Sequence, residues 1–296
     1  MDDAGLNTAA DAAEVAPFRV SRPAAGSTPM IFASPHSGRI YPKSMLAASQ
    51  LGPRAIRRSE DALVDKLIAA APEHGHTLIA AAFARAYLDV NREPWELDPG
   101  MFEDELPAFA RARTARVAAG LGAIARIVCE GQEIYARKLT FAEAETRVRR
   151  VHRPYHAALS ALVEETRAAY GLAVLIDWHS MPAAAAANAR APAGEPADMV
   201  LGDRFGAACA GAVTRLVERR LVELGYRVAR NAPYAGGYTT EHYGRPARKV
   251  HALQIEINRA LYFDETTLAP TEGFHRLRAD LASLFATFAA TDWALI

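Results

Sequence analysis

The stretch LAVLIDWHSM, Leu172–Met181, decides how the chain is read. Its apolar run, Leu172–Ile176, has the length of a buried strand and falls far short of the roughly 20 residues that a membrane-crossing helix needs. Asp177, Trp178, His179 and Ser180 follow directly. In open α/β sheets chemistry collects at the carboxyl ends of strands, so an acid and an imidazole there are placed to act. Working outward, Met30–Ala33 runs into SPHSG at 34–38, and Leu253–Ile257 carries Glu256 inside an apolar strand. Histidines and a glutamate at three strand ends suggest one hydrolytic centre.

The chain has 296 residues, enough for one large domain or two small ones, and one is expected. Hydrophobic residues make up 51% and charged residues 23%, the composition of an ordinary globular enzyme. Lys plus Arg and Asp plus Glu both number 34, so no basic excess exists to hold a nucleic-acid backbone or an anionic membrane. A nucleic-acid or membrane partner is therefore disfavoured. Cys129 and Cys209 are not paired by any spacing and read as buried thiols. The first 17 residues are acidic and Ala-rich without an apolar core, which reads as a flexible arm and not a signal peptide; a cytoplasmic setting is expected.

Along the chain, Pro35 biases Ser34 toward extended geometry and Gly38 permits a sharp turn, which leaves His36 at a strand end. Ser59 reads as a helix cap, with Glu60 and Asp61 either complementing the helix dipole or turned back as oxygen ligands. Thr77–Phe83 and Ala86–Val90 read as two neighbouring strands, and Ala125–Glu130 as another. Asn91 and Arg92 offer an amide beside a guanidinium fork, suited to a carboxylate; the alternative is a salt bridge to Glu93 or Glu96. Thr140 and Glu143 form a capping box at the start of a long helix that Pro154 should interrupt near Arg153. The Ala- and Pro-rich stretch 182–196 reads as a mobile loop beside the site. Asp198–Asp203 is a short strand, Phe205–Leu224 a helix, Tyr226–Arg230 a strand and Gly273–Ala290 an amphipathic helix. In NAPYAGGY, 231–238, the paired glycines, including Gly237, let backbone approach a ligand beside Tyr238; the alternative is an ordinary hairpin turn.

A catalytic zinc takes three protein ligands and keeps a position open. His36 and His179 are the nitrogen donors, and Asp61 or Glu60 the oxygen donor, converging from different strand ends. An unpartnered acid among Leu253–Ile257 would cost several kcal/mol, so Glu256 is paired, metal-bound or catalytic, and general base is the role that fits. A Ser/His/Asp mechanism through Ser37 or Ser180 is weaker, because no GxSxG elbow is present.

Together, SPHSG (34–38), SED (59–61), DVNR (89–92), the arginine and PYH of 147–156, DWHSM (177–181), LGD (201–203), NAPYAGGY (231–238) and QIEINRALY (254–262) resemble the N-formylglutamate amidohydrolase family. The resemblance covers the chain after the arm, 18–296, as one catalytic domain. It implies a single α/β domain with a mixed sheet flanked by helices, of the zinc-exopeptidase, phosphorylase/hydrolase-like type. The implied reaction is hydrolysis of N-formyl-L-glutamate to formate and L-glutamate by a zinc-activated water, late in histidine breakdown. Zinc, or another divalent metal, would be held by His36, Asp61 and His179, with Glu256 catalytic and Asn91, Arg92, Arg259, Gly237 and Tyr238 meeting the substrate. Arg39 stands where relatives with a His-x-x-Glu pattern carry the acidic ligand, which puts that ligand elsewhere, at Asp61 or Glu60. Alternatives of other kinds are hydrolysis of another N-acyl amino acid or small peptide, and ligand binding at a metal site without turnover.

Overall fold

Alternating apolar strands and amphipathic helices build the architecture seen in a computed structural model, which describes residues 15–128 and 131–293. Cys129 and Glu130 lie outside the described residues, as does most of the N-terminal arm; Cys209 is buried. Among the described residues, seven strands form one mixed sheet: β1 (Phe18–Ser21), β2 (Met30–Ser34), β3 (Thr77–Ala81), β4 (Ala173–Met181), β5 (Met199–Gly202), β6 (Val228–Arg230) and β7 (Val250–Asn258). Their order is β1-β3-β2-β4-β7-β5-β6. β2, β4 and β7 are parallel neighbours, whereas β5 runs antiparallel to β7 and parallel to β6. This is the expected α/β class with a mixed sheet flanked by helices. The longer helices are α1 (Phe141–Arg147), α2 (Arg153–Tyr170), α3 (Gly211–Glu223), α4 (Tyr238–Tyr243) and α5 (Gly273–Ala289). No helix among the described residues is long and apolar enough to cross a membrane.

Contacts group the residues into two compact units, one from 35–60 and 80–158 with 15–19, the other from 20–34, 61–79 and 159–293. The second holds the main core. Strand alternation sends Val174, Ile176 and Trp178 of β4 and Leu253, Ile255 and Ile257 of β7 to one face, where Leu277, Leu281, Leu284 and Phe285 of α5 cover them. Phe32, Trp178, Phe285 and His76 meet ring to ring, with Phe32 to Phe285 at 4.9 Å and Phe32 to His76 at 5.0 Å between centroids. In the first unit, Thr140 and Glu143 form the expected capping box, each side chain bonded to the other's backbone N–H.

Several expectations are corrected. β4 runs past the expected Leu172–Ile176 and through DWHSM to Met181, so Asp177, His179 and Ser180 stand on the strand itself. Ala86–Val90 forms turns, not a second strand, because the Asp89 carboxylate folds back to accept the Asn91 N–H at 2.8 Å. Ser59 does not cap a helix: its hydroxyl donates to the Ile56 carbonyl, and the helical turn Val64–Leu67 begins only after Leu63, at φ 63°. α3 starts at Gly211 because Arg204, Phe205 and Gly206 all adopt left-handed φ. Pro154 interrupts the long helix through a π turn, Val148–His152, immediately before α2. Proline has no N–H to return to the preceding turn, and the widened turn falls where that bond would be missing. The stretch 182–196 packs instead of standing free: Ala186 and Ala189 are fully buried with Met181, Ala197, Val200 and Ala229.

Burial makes His76 a pH-sensitive element of this core. Its Nε2–H donates to the Phe285 carbonyl at 3.0 Å, and Nδ1 lies 2.7 Å from the Thr28 hydroxyl. Desolvation pushes its pKa down to about 4 from 6.5. The unfolded chain therefore takes up a proton between pH 6.5 and 4 that the folded chain refuses, and stability falls as pH drops through that window, by up to roughly 3 kcal/mol. Urea unfolding of the wild type and His76→Gln at pH 7 and pH 4.5 measures this. The wild type should lose about 2 kcal/mol more than the variant, and parallel losses would show that His76 carries no such penalty.

Candidate active site

Paired residues on neighbouring parallel strands share a face of the sheet, and this register assembles the site. Asp177 lies opposite Gln254 and His179 opposite Glu256 across β4 and β7, while β5 sets Gly202 opposite Gln254. Asp177, His179, Gln254 and Glu256 thus line the face away from the α5 core. Gly202 is required there: a Cβ would stand 2.7 Å from the Ala235 carbonyl carbon and 2.8 Å from the Gly236 nitrogen, so its absence lets the 231–238 loop lie against β5. Gly236, at φ 130°, also needs to be glycine, since a Cβ would collide with the Thr240 hydroxyl. Gly237 and Tyr238 open α4, with the Tyr238 ring stacked on His242, so this segment leads into a helix and is not a hairpin turn.

His179 bridges two carboxylates. Its Nε2 lies 2.9 Å from Asp177 Oδ2 and its Nδ1 3.0 Å from Asp61 Oδ2. Burial alone would lower its pKa, but the Asp177 charge, the bonds to Asp177 and Asp61, and Glu256 raise it well above the ordinary value. Asp61 Oδ1 accepts from Arg259 Nη2 at 3.1 Å; Arg259 also donates to Ser180 Oγ at 3.1 Å and to Glu265 at 3.4 Å. Ser180 is thereby a hydrogen-bond acceptor for Arg259. Glu265 in turn accepts from the Ala183 N–H at 3.0 Å. Glu256 is buried, and one of its oxygens accepts from Gln254 Nε2 at 2.7 Å.

The first unit holds a second histidine–carboxylate pair. His36 follows β2 with only Pro35 between, and its Nε2 lies 2.6 Å from Asp89 Oδ1. Arg85 donates to Asp89 Oδ2 at 2.7 Å. Burial would raise the Asp89 pKa, but His36, Arg85 and Arg92 together hold it well below the usual carboxylate range. Asp89 was not singled out in the sequence, although an acid within the apolar Ala86–Val90 demands a partner for the reason that Glu256 does. Arg92 donates to the Leu121 carbonyl at 3.1 Å and the Asn91 carbonyl at 3.0 Å, and pairs with Asp89 at 3.9 Å. Neither Glu93 nor Glu96 forms an ion pair with it among the described residues. Glu60 is engaged elsewhere: it accepts from the Tyr41 hydroxyl at 2.7 Å and Arg57 Nε at 3.2 Å, and burial raises its pKa.

Asp61 and His179, both buried, meet in the second unit, and His36, also buried, stands with Asp89 in the first. Each histidine has Nε2 directed at a carboxylate, which orients the ring. An imidazole beside a carboxylate is a donor set that suits a divalent cation.

The family described as N-formylglutamate amidohydrolase matches residues 28–263 of this chain. The N-formylglutamate deformylase of Pseudomonas aeruginosa is 29% identical over 264 residues, covering 87% of this chain and 88% of that protein. The Pseudomonas putida N-formylglutamate deformylase is 27% identical over 247 residues, covering 81% and 84%. The crystal structure of N-formylglutamate amidohydrolase from Ralstonia eutropha JMP134 superposes with a TM-score of 0.87 at 41% identity, covering 93% of this chain and 98% of that one. With this similarity running through the strands that carry Asp177, His179 and Glu256, the chain belongs to the N-formylglutamate amidohydrolase family.

Proposed function

We propose that this chain is a zinc-dependent amidohydrolase that cleaves N-formyl-L-glutamate to formate and L-glutamate, in the cytoplasm and late in histidine breakdown. The observation that carries the reading is His179, buried between the Asp61 and Asp177 carboxylates with Glu256 in register beside it. Substrate identity comes from the relatives, two of them N-formylglutamate deformylases.

His36, Asp61 and His179 are the residues that would hold the cation, and Asp89 and Asp177 orient the two imidazoles. When bound, a divalent cation there polarises the amide carbonyl and makes water more acidic. Glu256 removes a proton from the attacking water and delivers it to the departing nitrogen, which as a bare anion would be a poor leaving group. Gln254 fixes the rotation of that carboxylate by binding one oxygen. Asn91 and Arg92 take a substrate carboxylate through an amide and a planar guanidinium. Arg259, Gly237 and Tyr238 are the remaining residues proposed to meet the substrate.

Metal analysis of the purified protein, with N-formyl-L-glutamate hydrolysis assayed before and after chelation, tests the proposal. One equivalent of zinc and loss of turnover on chelation are expected, with recovery on adding metal back; full turnover in metal-free protein would sink the mechanism. Glu256→Gln should retain the metal and lose roughly 1,000-fold or more in kcat, and an active variant removes Glu256 from the role of base. Arg92→Leu should lower kcat/KM by roughly 100-fold, mainly through KM. Assay of other N-acyl amino acids alongside decides between N-formyl-L-glutamate and a broader substrate range.

A further inference from the structure

The segment Tyr87–Arg92 carries Asp89, Asn91 and Arg92, yet it belongs to no strand or helix that could bond its backbone. Buried carbonyls outside regular structure need donors from elsewhere. Three of them are met from one stretch of helix: Arg147 Nη1 donates to the Tyr87 carbonyl at 3.1 Å, His156 Nε2 to Val90 at 2.7 Å and His152 Nε2 to Arg92 at 2.9 Å. A carbonyl only accepts, so both imidazoles carry a proton on Nε2. Their rings lie against each other, tilted by 35° with centroids 4.3 Å apart. Arg147 is anchored as well, over the Tyr87 ring at 4.6 Å and bonded to the Tyr135 hydroxyl at 2.6 Å.

The spacing of these three residues depends on the π turn. In an uninterrupted α-helix the residue aligned with Arg147 one turn on would be Val151, which is buried and has no side-chain donor. The turn Val148–His152, closed by the Arg153 N–H reaching back to the Val148 carbonyl, lengthens that step to five residues and brings His152 into line. The ordinary four-residue step then reaches His156.

We infer that Arg147, His152 and His156 are positioning residues, set by the π turn, that hold the backbone of 87–92 so that Asn91 and Arg92 are pre-aimed at the substrate carboxylate. The inference rests on the proposed role of Asn91 and Arg92. His156→Leu removes one donor at similar volume, whereas His156→Gln keeps an amide N–H near the Nε2 position. For His156→Leu, KM for N-formyl-L-glutamate should rise at least tenfold with kcat within threefold of wild type and metal content unchanged, and Gln should restore most of the KM. On the analogue with both carboxylates converted to carboxamides, the loss in kcat/KM should be under threefold, because the grip on a carboxylate no longer contributes. Hydrogen exchange provides an arm that needs no turnover: the amides of 89–92 should exchange at least tenfold faster in His156→Leu than in wild type, and near the wild-type rate in His156→Gln. Equal losses on both substrates, or unchanged exchange, would overturn the inference. If the Leu variant does not fold, His156→Asn, too short to reach the Val90 carbonyl, takes its place: exchange of 89–92 at least tenfold faster than wild type upholds the inference, and wild-type exchange ends it. A wild-type protein that does not hydrolyse N-formyl-L-glutamate counts against the proposed function alone, and the exchange results still decide the inference.

Discussion

His179 stands on a central strand with a carboxylate at each ring nitrogen, and much of the second unit is arranged to make that tolerable. A charged group removed from water costs several kcal/mol unless matched, so neither Asp177 nor Asp61 could be buried without a cation nearby. Asp177 comes from the same strand, two residues away and on the same face. Asp61 must be brought from 118 residues earlier in the chain, where Leu63 adopts φ 63° two residues beyond it. A left-handed leucine is strained by about 1 kcal/mol or more, a cost that the surrounding contacts must offset. Arg259 completes the balance from the end of β7, bound to Asp61 and, through Glu265, connected to the packed stretch that begins at Ala183.

The first unit solves the same problem with different parts. Asp89 is buried and ionised because His36, Arg85 and Arg92 all face it. It also accepts the backbone N–H of Asn91, so one carboxylate orients the histidine and shapes the turn that carries the Asn-Arg pair. A carboxylate behind each imidazole fixes its ring, which suits both histidines to the proposed role of metal ligand. Since β2 pairs with β4 up to Ala33 opposite Asp177, His36 leaves the sheet only three residues beyond a fixed register.

What could be read from the sequence was what local pattern controls. Apolar runs ending in histidine marked β2 and β4, an acid in an apolar run marked β7, and Thr140 with Glu143 marked a helix start through a reciprocal pair of bonds three residues apart. What could not be read depends on partners distant in sequence. Ser59-Glu60-Asp61 has the composition of a helix cap, but Tyr41 and Arg57 claim Glu60 and His179 and Arg259 claim Asp61, and those side-chain bonds outweigh a cap worth about 1 kcal/mol. Ala86–Val90 has the residues of a strand, yet its carbonyls are taken by Arg147 and His156, some 60 residues on. The alanines of 182–196 looked too small to pack, but Ala186 and Ala189 face Val200 and Met181, where little space is left and small side chains fill it.

The placement of chemistry on strands, and not in the loops beyond them, has a mechanical consequence. Asp177, His179, Gln254 and Glu256 are spaced by the backbone ladder of two adjacent parallel strands, so the distance between the proposed ligand and the proposed base is tied to a register that cannot slip without turning every core side chain out to the other face. A base held this way is positioned before substrate arrives, and little reorganisation is left for the reaction step. The carboxylate recognition proposed for Asn91 and Arg92 belongs instead to a turn whose backbone is held by side chains. Rigidity there comes from individual donors, each open to substitution without disturbing the sheet. On the proposed roles, catalysis and substrate selection therefore rest on different kinds of support, and variation in the helix of 141–170 would retune the second while the register of β4 and β7 preserves the first.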